Sequence, residues 1–361
     1  MNKMPRWADL VLVPLICLII AFVFCGVLIQ AIGQSPVAAL TTMVTGALGT
    51  TRGWGYTLYY ATNFMFTGLA VSVAFQASLF NIGGEGQAKL GALGVALSLL
   101  YIPWPHWSLA LAGSIVAALL FGGAWALIPA WLQAKRGSHI VITTMMFNFI
   151  ASSLMNYLLV NILRPLGKMD PASARFNPVT NLPKLGEMLT AVGIPFSTKN
   201  PANISLLVAL ICAFGLWVLL WHTRFGYALR AFGKSEKAAI YAGISPVRIT
   251  LYTLLLSGGL SGMMAINSVQ GEAHRLLQDP IEGAGFIGIA VALMGRNHPF
   301  GIVLASILFG FLFQGGAQLQ LNTTIPREVI TVLQALVILF TGALPYMVQR
   351  PLERLFAGGR A

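Results

Sequence analysis

Charged residues and cysteines are scarce in this sequence. Asp, Glu, Lys and Arg make up 9% of the 361 residues, whereas 57% are hydrophobic and the mean hydropathy is +0.78. This composition is too apolar for a soluble domain of this length. The three cysteines, Cys17, Cys25 and Cys212, lie in apolar runs and lack the spacing of a disulfide framework or a metal site. We expect them to be packing residues.

The sequence lacks the patterns that several protein classes and functional sites require. No ten-residue alternation of apolar and polar positions suggests an outer-membrane barrel. The five histidines have no metal-ligand pattern, and no nucleophile–base motif is visible. Gly233-Lys234-Ser235 imitates the end of a phosphate-binding loop, but Ala228 stands where that loop needs a glycine. The sequence therefore predicts no metal site, no catalysis and no nucleotide binding in this chain.

Long apolar runs recur along most of the sequence, and a helix that crosses a bilayer needs about 20 such residues. The pattern predicts an all-α polytopic membrane protein with about ten transmembrane or re-entrant helices in a single transmembrane domain, 1–361. The predicted spans are 10–32, 56–80, 88–102, 109–134, 139–163, 202–222, 249–269, 284–295, 299–320 and 329–348. Two of them, 88–102 and 284–295, are short and rich in glycine, so they are candidates for half-helices or re-entrant segments.

Basic residues lie at the ends of the apolar runs, which is typical of membrane topology rather than of nucleic-acid binding. With both termini cytoplasmic, the inner side holds fourteen basic and four acidic residues, a balance of +10 that includes Glu85 and Lys89. The outer side then holds the other +2 of the total of +12. Because positive charge concentrates in cytoplasmic loops, we expect both termini to be cytoplasmic. The proline-rich connection 164–201 is then an ordered external loop.

Two glycine-rich stretches resemble each other loosely. They are Phe80-Asn-Ile-Gly-Gly-Glu-Gly-Gln87, with the apolar residues after it, and Glu282-Gly-Ala-Gly-Phe-Ile-Gly-Ile-Ala-Val-Ala-Leu-Met294. Interrupted helices at corresponding places in two halves of a chain are typical of an internal repeat around a central binding site. Chance matching of glycines in membrane helices is the alternative explanation of this weak repeat.

Glu85 is the most specific single candidate for a functional residue. A carboxylate beside an apolar span is costly unless it has a partner or water. The neighbouring Gly83, Gly84 and Gly86 permit a sharp backbone turn. Glu85 therefore lies either in a broken helix that lines a transport path or in a solvated cytoplasmic turn with Lys89, and the charge count does not distinguish the two.

Amide side chains within or beside the spans are further candidates for a substrate path, since an amide both donates and accepts hydrogen bonds. Asn81 and Gln87 flank the glycine turn and are the stronger candidates. Asn148 and Asn267 also fit such a path, although amides in membrane helices commonly join one helix to another. Phe286 could stack on a flat ligand, with packing and lipid contact as the alternatives.

The basic segment 223–248 separates two apolar runs and carries five Lys or Arg residues and one acidic residue, Glu236. Its charge predicts a cytoplasmic location. Within it, the sequence predicts a short helix from Ser235 to Ala242 that is closed by Gly243. A short helix at the cytoplasmic face of a membrane bundle is suited to docking on a soluble partner.

Three stretches carry a resemblance to a known family. They are Phe225-Gly-Tyr-Ala-Leu-Arg-Ala-Phe-Gly233, Phe80-Asn-Ile-Gly-Gly-Glu-Gly-Gln87 and Gly285-Phe-Ile-Gly-Ile-Ala-Val-Ala-Leu-Met-Gly-Arg-Asn-His-Pro299. Together they resemble ABC importer permeases of the bacterial inner-membrane translocator family, over about 50–350 of this chain. Within that family they look most like the nucleoside branch, which is paired with basic-membrane-protein-type lipoproteins.

The basic segment also resembles the loop by which such permeases dock on their ATP-binding subunit. The matching residues are Glu236, Ala238, Ala239 and Gly243, and Lys237 separates the glutamate from the alanine pair. The resemblance implies that these residues, together with Arg230, form the coupling contact with that subunit.

The resemblance further implies a transport subunit without enzymatic activity or a cofactor of its own, so that ATP and Mg act in a partner. The implied partners are an ABC ATP-binding subunit, a second permease that is related or identical, and a periplasmic or lipoprotein substrate-binding protein. The implied location is the bacterial inner (plasma) membrane, in contact with lipid and without nucleic acid. Nucleosides are the implied substrates.

Two other functions remain open from the sequence. Relatives in the same family carry simple sugars such as ribose, so a sugar permease is one alternative. An ion-coupled secondary transporter is the other, and it would need an intramembrane carboxylate, for which Glu85 is the candidate. A membrane scaffold that transports nothing would gain nothing from broken, polar glycine segments.

Overall fold

The computed structural model describes residues 12–323, 325, 327–343 and 347–348. These residues are mainly helical, which confirms the all-α prediction. The α-helices are α1 (Val13–Ala31), α2 (Pro36–Leu48), α3 (Thr51–Gln76), α4 (Gly84–Tyr101), α5 (Trp107–Arg136), α6 (Ile140–Leu158), α7 (Leu185–Ala191), α8 (Ser205–His222), α9 (Arg224–Lys234), α10 (Glu236–Tyr241), α11 (Pro246–Gly262), α12 (Ala284–Met294), α13 (Pro299–Asn322) and α14 (Arg327–Ala343). Two π-helical turns, Leu159–Leu163 and Ile266–Ala273, extend α6 and follow α11.

Six helical segments are long and apolar enough to cross a membrane, which confirms a multi-pass membrane protein. They are Thr51–Gln76, Trp107–Arg136, Ile140–Leu163, Ser205–His222, Pro246–Ala273 and Pro299–Asn322. The pair α1 and α2, which is bent by 120°, adds a seventh if the two helices count as one span. Every predicted span overlaps one of the helices, although parts of 10–32 and 329–348 lie outside the described residues. Ten crossings remain a prediction.

The contacts within the chain divide it into two compact units. One unit combines Met1–Trp54 with Phe311–Ala361, and the other is Gly55–Gly310. In the first unit, α1 packs along α14 and against α2 around an apolar core that includes Cys25 and Met43. The cysteines Cys17 and Cys25 are buried and free in this unit, as packing residues are.

Helix α2 is absent from the predicted spans. Ser35 caps it, because its Oγ accepts a hydrogen bond from the Ala38 backbone N–H (3.4 Å), and Pro36 occupies the first helical position. This arrangement is a common helix start, since the first backbone amides of a helix have no partner within it. The buried side chains of Ala39 and Met43 then face the apolar core.

The second unit is built on close packing of α5 against α4 and α11. Glycines let the backbones touch, because a Cβ atom on Gly91 would overlap the backbone of Gly262 and one on Gly122 would overlap the Gly258 carbonyl. Gly258 and Gly262 form a Gly-x-x-x-Gly pair, which allows helices in membranes to approach closely. This packing holds α4 in place beside α11.

Two helices of the second unit begin only after a non-helical segment. Helix α4 starts at Gly84 after residues 77–83, and α12 starts at Ala284 after residues 274–283. The 11 residues of α12 give a rise of about 16 Å, roughly half of the ~30 Å hydrocarbon core of a bilayer. Helix α12 is therefore too short for a complete crossing, in agreement with the prediction for 284–295. The internal repeat stays a prediction.

Candidate functional site

A buried amide network holds the break before α4. Asn81 donates from Nδ2 to Gln87 Oε1 (3.0 Å) and to Ser257 Oγ (2.9 Å). Its Oδ1 accepts hydrogen bonds from the Gly83 backbone N–H (2.9 Å) and from Gln87 Nε2 (3.2 Å). Both amide side chains are buried. They therefore fix the turn at residues 81–87, and these polar atoms bond to the protein itself.

Asn148 of α6 ties the same break to a second helix. Its Oδ1 accepts a hydrogen bond from the Gly86 backbone N–H (2.8 Å), and its Nδ2 donates to the Ile82 carbonyl oxygen (2.9 Å). The Gly86 N–H belongs to the first turn of α4, where amides have no partner within the helix. Asn148 is 5% exposed, so it acts as a buried cap supplied by a neighbouring helix.

Glu85 does not lie in a solvated turn, so that interpretation of the sequence is wrong. The residue is only 5% exposed. Its Oε1 accepts a hydrogen bond from the Gly283 backbone N–H (3.2 Å), and its Oε2 accepts one from Gly285 (3.0 Å). These amides belong to the cap and the first turn of α12. The carboxylate of one broken helix therefore caps the other.

The ends of α4 and α12 meet where Glu85 lies. A Cβ atom on Gly285 would come within 2.5 Å of the Glu85 Cα, so only glycine fits there. Ser261 of α11 supports the crossing from the side, since its Oγ donates to the Gly84 carbonyl oxygen (2.6 Å). Each helix N-terminus carries about half a positive charge from its aligned peptide dipoles. The negative charge of Glu85 offsets the repulsion between the two ends.

Lys89 extends this cluster one turn further along α4. Its Nζ lies 3.7 Å from Glu85 Oε1 and 3.3 Å from Asp279 Oδ1, and it donates to Ser152 Oγ (3.1 Å). The Lys89 side chain is 12% exposed, whereas that of Asp279 is 58% exposed. Buried charges are tolerated when they are paired in this way. Glu85 and Lys89 are therefore not charges of a cytoplasmic loop. Leaving both out of the charge count for the inner side still gives +10, because one is acidic and the other is basic.

Of the other two predicted path residues, Asn267 bonds to a different set of residues, whereas Phe286 directly follows Gly285 in the first turn of α12. Asn267 is fully buried, accepts hydrogen bonds from Asn203 Nδ2 (2.8 Å) and Ser205 Oγ (2.9 Å), and donates to Asn63 Oδ1 (2.7 Å). These contacts favour the interpretation that Asn267 joins helices. Phe286 is 45% exposed on α12. A role of any of these residues in a substrate path remains a prediction.

Sequence reasoning missed several residues of this cluster. Ser257 and Ser261 stand four positions apart on α11, and small polar residues at that spacing lie on one face of a helix. That signal was available in the sequence. Asp279 gave no comparable signal, because its contact with Lys89 joins segments that are far apart in the chain.

Replacing Asn148 by alanine is expected to destabilise the protein by about 2 kcal/mol, since it leaves the buried Gly86 N–H and the partly buried Ile82 carbonyl without this partner. Thermal unfolding of the purified protein in detergent measures this loss. The matched control is Asn161→Ala, because Asn161 is exposed and donates only to Tyr157 of its own helix (2.9 Å). Equal unfolding temperatures for the two variants would contradict the capping role of Asn148.

The basic segment forms two short helices, α9 and α10. The predicted helix is confirmed as α10, since Ser235 Oγ accepts a hydrogen bond from the Ala238 N–H (3.4 Å) and Gly243 follows with φ +81°. Helix α9 was not predicted, although Thr223 caps it by accepting from the Gly226 N–H (3.1 Å). Buried Leu229 anchors α9 to the rest of its unit.

Helix α10 presents an exposed surface. Glu236 and Ala238 are exposed, whereas Ala239 is 3% exposed and faces the protein. Two large apolar side chains follow, Ile240 at 51% exposed and Tyr241 at 97%. Exposed apolar side chains on a short helix outside the candidate spans are typical of a surface that binds another protein.

Arg230 of α9 packs on Trp221 of α8. Its guanidinium group lies 5.7 Å from the centre of the Trp221 ring, and the Trp221 ring lies 4.9 Å from that of His298. Burial lowers the pKa of His298 below the ordinary histidine value. Arg230 therefore anchors α9 by a cation–π contact. Its predicted part in coupling stays a prediction.

A cavity of about 330 Å³ lies behind the junction of α9 and α10. Gln133 of α5, Ser235 and Glu236 at the start of α10, and Thr250 of α11 contribute to its lining. The start of α10 is therefore not closely packed against α5 and α11 on this side. In the described part of the chain, no group of three or more His, Cys, Asp or Glu residues is placed to hold a metal ion.

The sequence matches the family described as branched-chain amino acid transport system / permease component over residues 54–342. The glucose ABC transporter permease protein TsgB13 of Haloferax volcanii is 33% identical over 91% of this chain and 86% of the relative. The guanosine ABC transporter permease protein NupP of Bacillus subtilis is 31% identical over 92% and 93%. The nucleoside ABC transporter permease protein NupB of Lactococcus lactis is 30% identical over 91% and 90%. The family match includes both the helix break and the basic segment.

Proposed function

Because this chain belongs to the branched-chain amino acid transport system / permease component family, we propose that it is the membrane-spanning permease of an ATP-driven nucleoside importer. The chain is an ABC transporter permease and a multi-pass membrane protein. ATP and Mg then act in a separate ATP-binding subunit. The family match over 54–342 is the observation that carries this proposal.

Nucleosides are the preferred substrate class for two reasons. Two of the three relatives above are named for guanosine or nucleosides. The pairing of Glu85 with Lys89 at the helix break is also compatible with a path for a neutral ligand, since neither charge needs a charged substrate as its partner. A neutral sugar is the second candidate, because the Haloferax volcanii relative is named for glucose.

The proposed topology places both termini and the segment 223–248 in the cytoplasm and the loop 164–201 outside. The basic residues of the segment support this orientation. Two hydrogen bonds are compatible with this topology. Ser78 Oγ donates to the Gly233 carbonyl oxygen (2.6 Å), so the residues after α3 lie beside the segment 223–248. The Ser173 N–H donates to the Leu276 carbonyl oxygen (2.9 Å), so the loop 164–201 lies beside the residues before α12.

The proposed mechanism is mechanical. Closure of the ATP-binding subunits on ATP would pull on α10, and the helices joined to it would switch the path from outside-open to inside-open. Coupling must pass through protein movement, because ATP and substrate bind different polypeptides. The exposed Ile240 and Tyr241 and the cavity behind α10 support a docked, movable helix.

A complete importer would contain further subunits. The proposed assembly has a second permease, related or identical to this chain, two ATP-binding subunits and a substrate-binding protein outside the membrane. The binding protein would deliver substrate to the face that carries the loop 164–201. The exposed apolar side chains of α10 would contact the ATP-binding subunit on the opposite face.

Uptake of radiolabelled guanosine by the reconstituted importer tests the proposal. We expect uptake that requires ATP and that unlabelled nucleosides compete away, with glucose and ribose ineffective. Competition by a sugar alone would assign the second candidate substrate class. Uptake that survives ATP depletion but stops with a protonophore would contradict an ATP-driven importer and favour ion coupling.

A further inference from the structure

A short segment links the loop 164–201 to the meeting point of α4 and α12. We define it as the strap, residues 274–283. At its first end it pairs with the loop, since the Ser173 N–H donates to the Leu276 carbonyl oxygen and the Phe176 N–H donates to that of His274, both at 2.9 Å. The Leu276 N–H in turn donates to Ser173 Oγ (2.9 Å). The loop and the strap are therefore bonded in both directions.

At its other end the strap is fastened to α4. Its last residue, Gly283, donates its N–H to Glu85, as does Gly285 of α12. Asp279 in the middle of the strap is paired with Lys89 (3.3 Å). Two residues of α4, one turn apart, thus hold the strap and the start of α12 together. All of these groups lie in the same compact unit.

The backbone of the strap is bent at both ends and pinned between them. His274 has φ +51°, and Glu282 and Gly283 have φ +52° and +79°. Left-handed conformations are unfavourable for residues other than glycine, so neighbouring contacts must hold His274 and Glu282 there. Between these bends, Leu276 and Ile281 are buried at 0% and 1% exposure. The strap is therefore a segment of fixed conformation between two turns and not a flexible linker.

We propose that Glu85 and Lys89 are positioning residues that latch the strap to α4, so that movement of the loop 164–201 is transmitted to the helix break. This inference rests on the proposed function, in which a binding protein docks outside and substrate passes the break. It assigns Glu85 a role through backbone amides and not through contact with substrate. The Lys89–Asp279 pair is the part of the latch that reaches the surface, through Asp279, and the Glu85 bonds are its buried part.

Hydrogen exchange of the strap tests the latch without any transport assay. In the full chain in detergent, Glu85→Gln is expected to speed exchange at 283–285 by about tenfold, because Gly283 and Gly285 donate to different carboxylate oxygens and the NH2 group that replaces one of them cannot accept a hydrogen bond. The control Glu187→Gln, at an exposed position of α7, is expected to leave this exchange unchanged. Unchanged exchange in Glu85→Gln would overturn the latch.

Transport by the assembled importer tests the transmission. We expect Glu85→Gln and Asp279→Asn to keep basal ATP hydrolysis but to lose its stimulation by the loaded binding protein, with uptake falling by about tenfold for Glu85→Gln. Lys89→Arg keeps the charge and is expected to retain more stimulation than Lys89→Met. Asp279→Asn replaces an exposed side chain, so it serves if Glu85→Gln fails to fold.

A double-mutant cycle isolates the exposed pair. If Lys89 and Asp279 act together, Asp279→Asn has a smaller effect on stimulation in a Lys89→Met background than alone. Additive effects of the two substitutions on the stimulation of ATP hydrolysis would overturn the transmission role. A variant with faster hydrogen exchange in the strap but normal stimulation would overturn it as well. Absence of ATP-driven uptake by the unaltered importer would instead count against the proposed function, and the exchange experiment would still decide the latch.

Discussion

Gly243→Pro is expected to abolish ATP-driven uptake while the permease still inserts into the membrane. Gly243 closes α10 with φ +81°, and its N–H donates to the Ile240 carbonyl oxygen (2.9 Å). Proline fixes φ near −65° and has no N–H, so it removes both features at a cost of about 3 kcal/mol or more. Because the ATP-binding subunit binds the folded form of α10 in this proposal, a cost of that size lowers its affinity for the permease by about 100-fold, and coupled uptake falls with it.

The measurement compares nucleoside uptake with ATP hydrolysis by the assembled importer. Hydrolysis that continues without uptake is the expected signature of uncoupling. Glu236→Arg reverses the exposed charge at the start of α10 without altering its end, so it tests the same surface independently. It is expected to uncouple in the same direction, since acidic groups also stabilise the first turn of a helix.

Gly193→Pro is the matched control for the change at Gly243. Gly193 follows α7 with φ +86°, and its N–H donates to the Thr190 carbonyl oxygen (3.0 Å). The same substitution therefore disturbs an equivalent helix end in the loop 164–201. Binding of the ATP-binding subunit should survive Gly193→Pro. Normal uptake by the Gly243→Pro and Glu236→Arg variants would contradict the docking role of α10.

Local signals in the sequence were sufficient to predict α10 and the short α12. Helix α10 has a serine cap at Ser235 and a closing glycine at Gly243, and both act within a few residues. The short apolar run at 284–295 could be recognised by its length alone. Helix α2 has an equally local signal, Ser35 followed by Pro36, but a search for long apolar runs does not detect a helix of this length.

The partners of Glu85 could not be predicted in the same way. The glycines beside Glu85 indicated an interrupted helix, and a carboxylate beside an apolar span indicated that Glu85 needs a partner. The partners are the backbone amides of Gly283 and Gly285, and any residue type supplies such groups, so no sequence pattern identifies them. The same holds for Asn148, whose two partners are also backbone groups. Long-range packing decides these contacts, and it decides that Glu85 is buried.

Gly285→Ala is expected to cost about 3 kcal/mol or more of stability, because no space exists for a methyl group at the crossing of α4 and α12. The added Cβ would overlap the Glu85 backbone nitrogen and would lie 2.5 Å from its Cα and 2.7 Å from the Gly84 carbonyl carbon. These are backbone atoms, so no side-chain rotation relieves the overlap. The two helix ends must separate, and the hydrogen bonds from Gly283 and Gly285 to Glu85 lengthen as they do.

Thermal unfolding and gel filtration in detergent measure this effect, with Gly215→Ala as the matched control. Gly215 lies inside α8, where a Cβ atom would meet nothing within 4 Å. Alanine is the better helix former by about 1 kcal/mol in a helix interior, so the control should be neutral or slightly stabilising. A Gly285→Ala protein as stable as the control would mean that α4 and α12 do not touch at their N-termini. The capping of α12 by Glu85 depends on that contact.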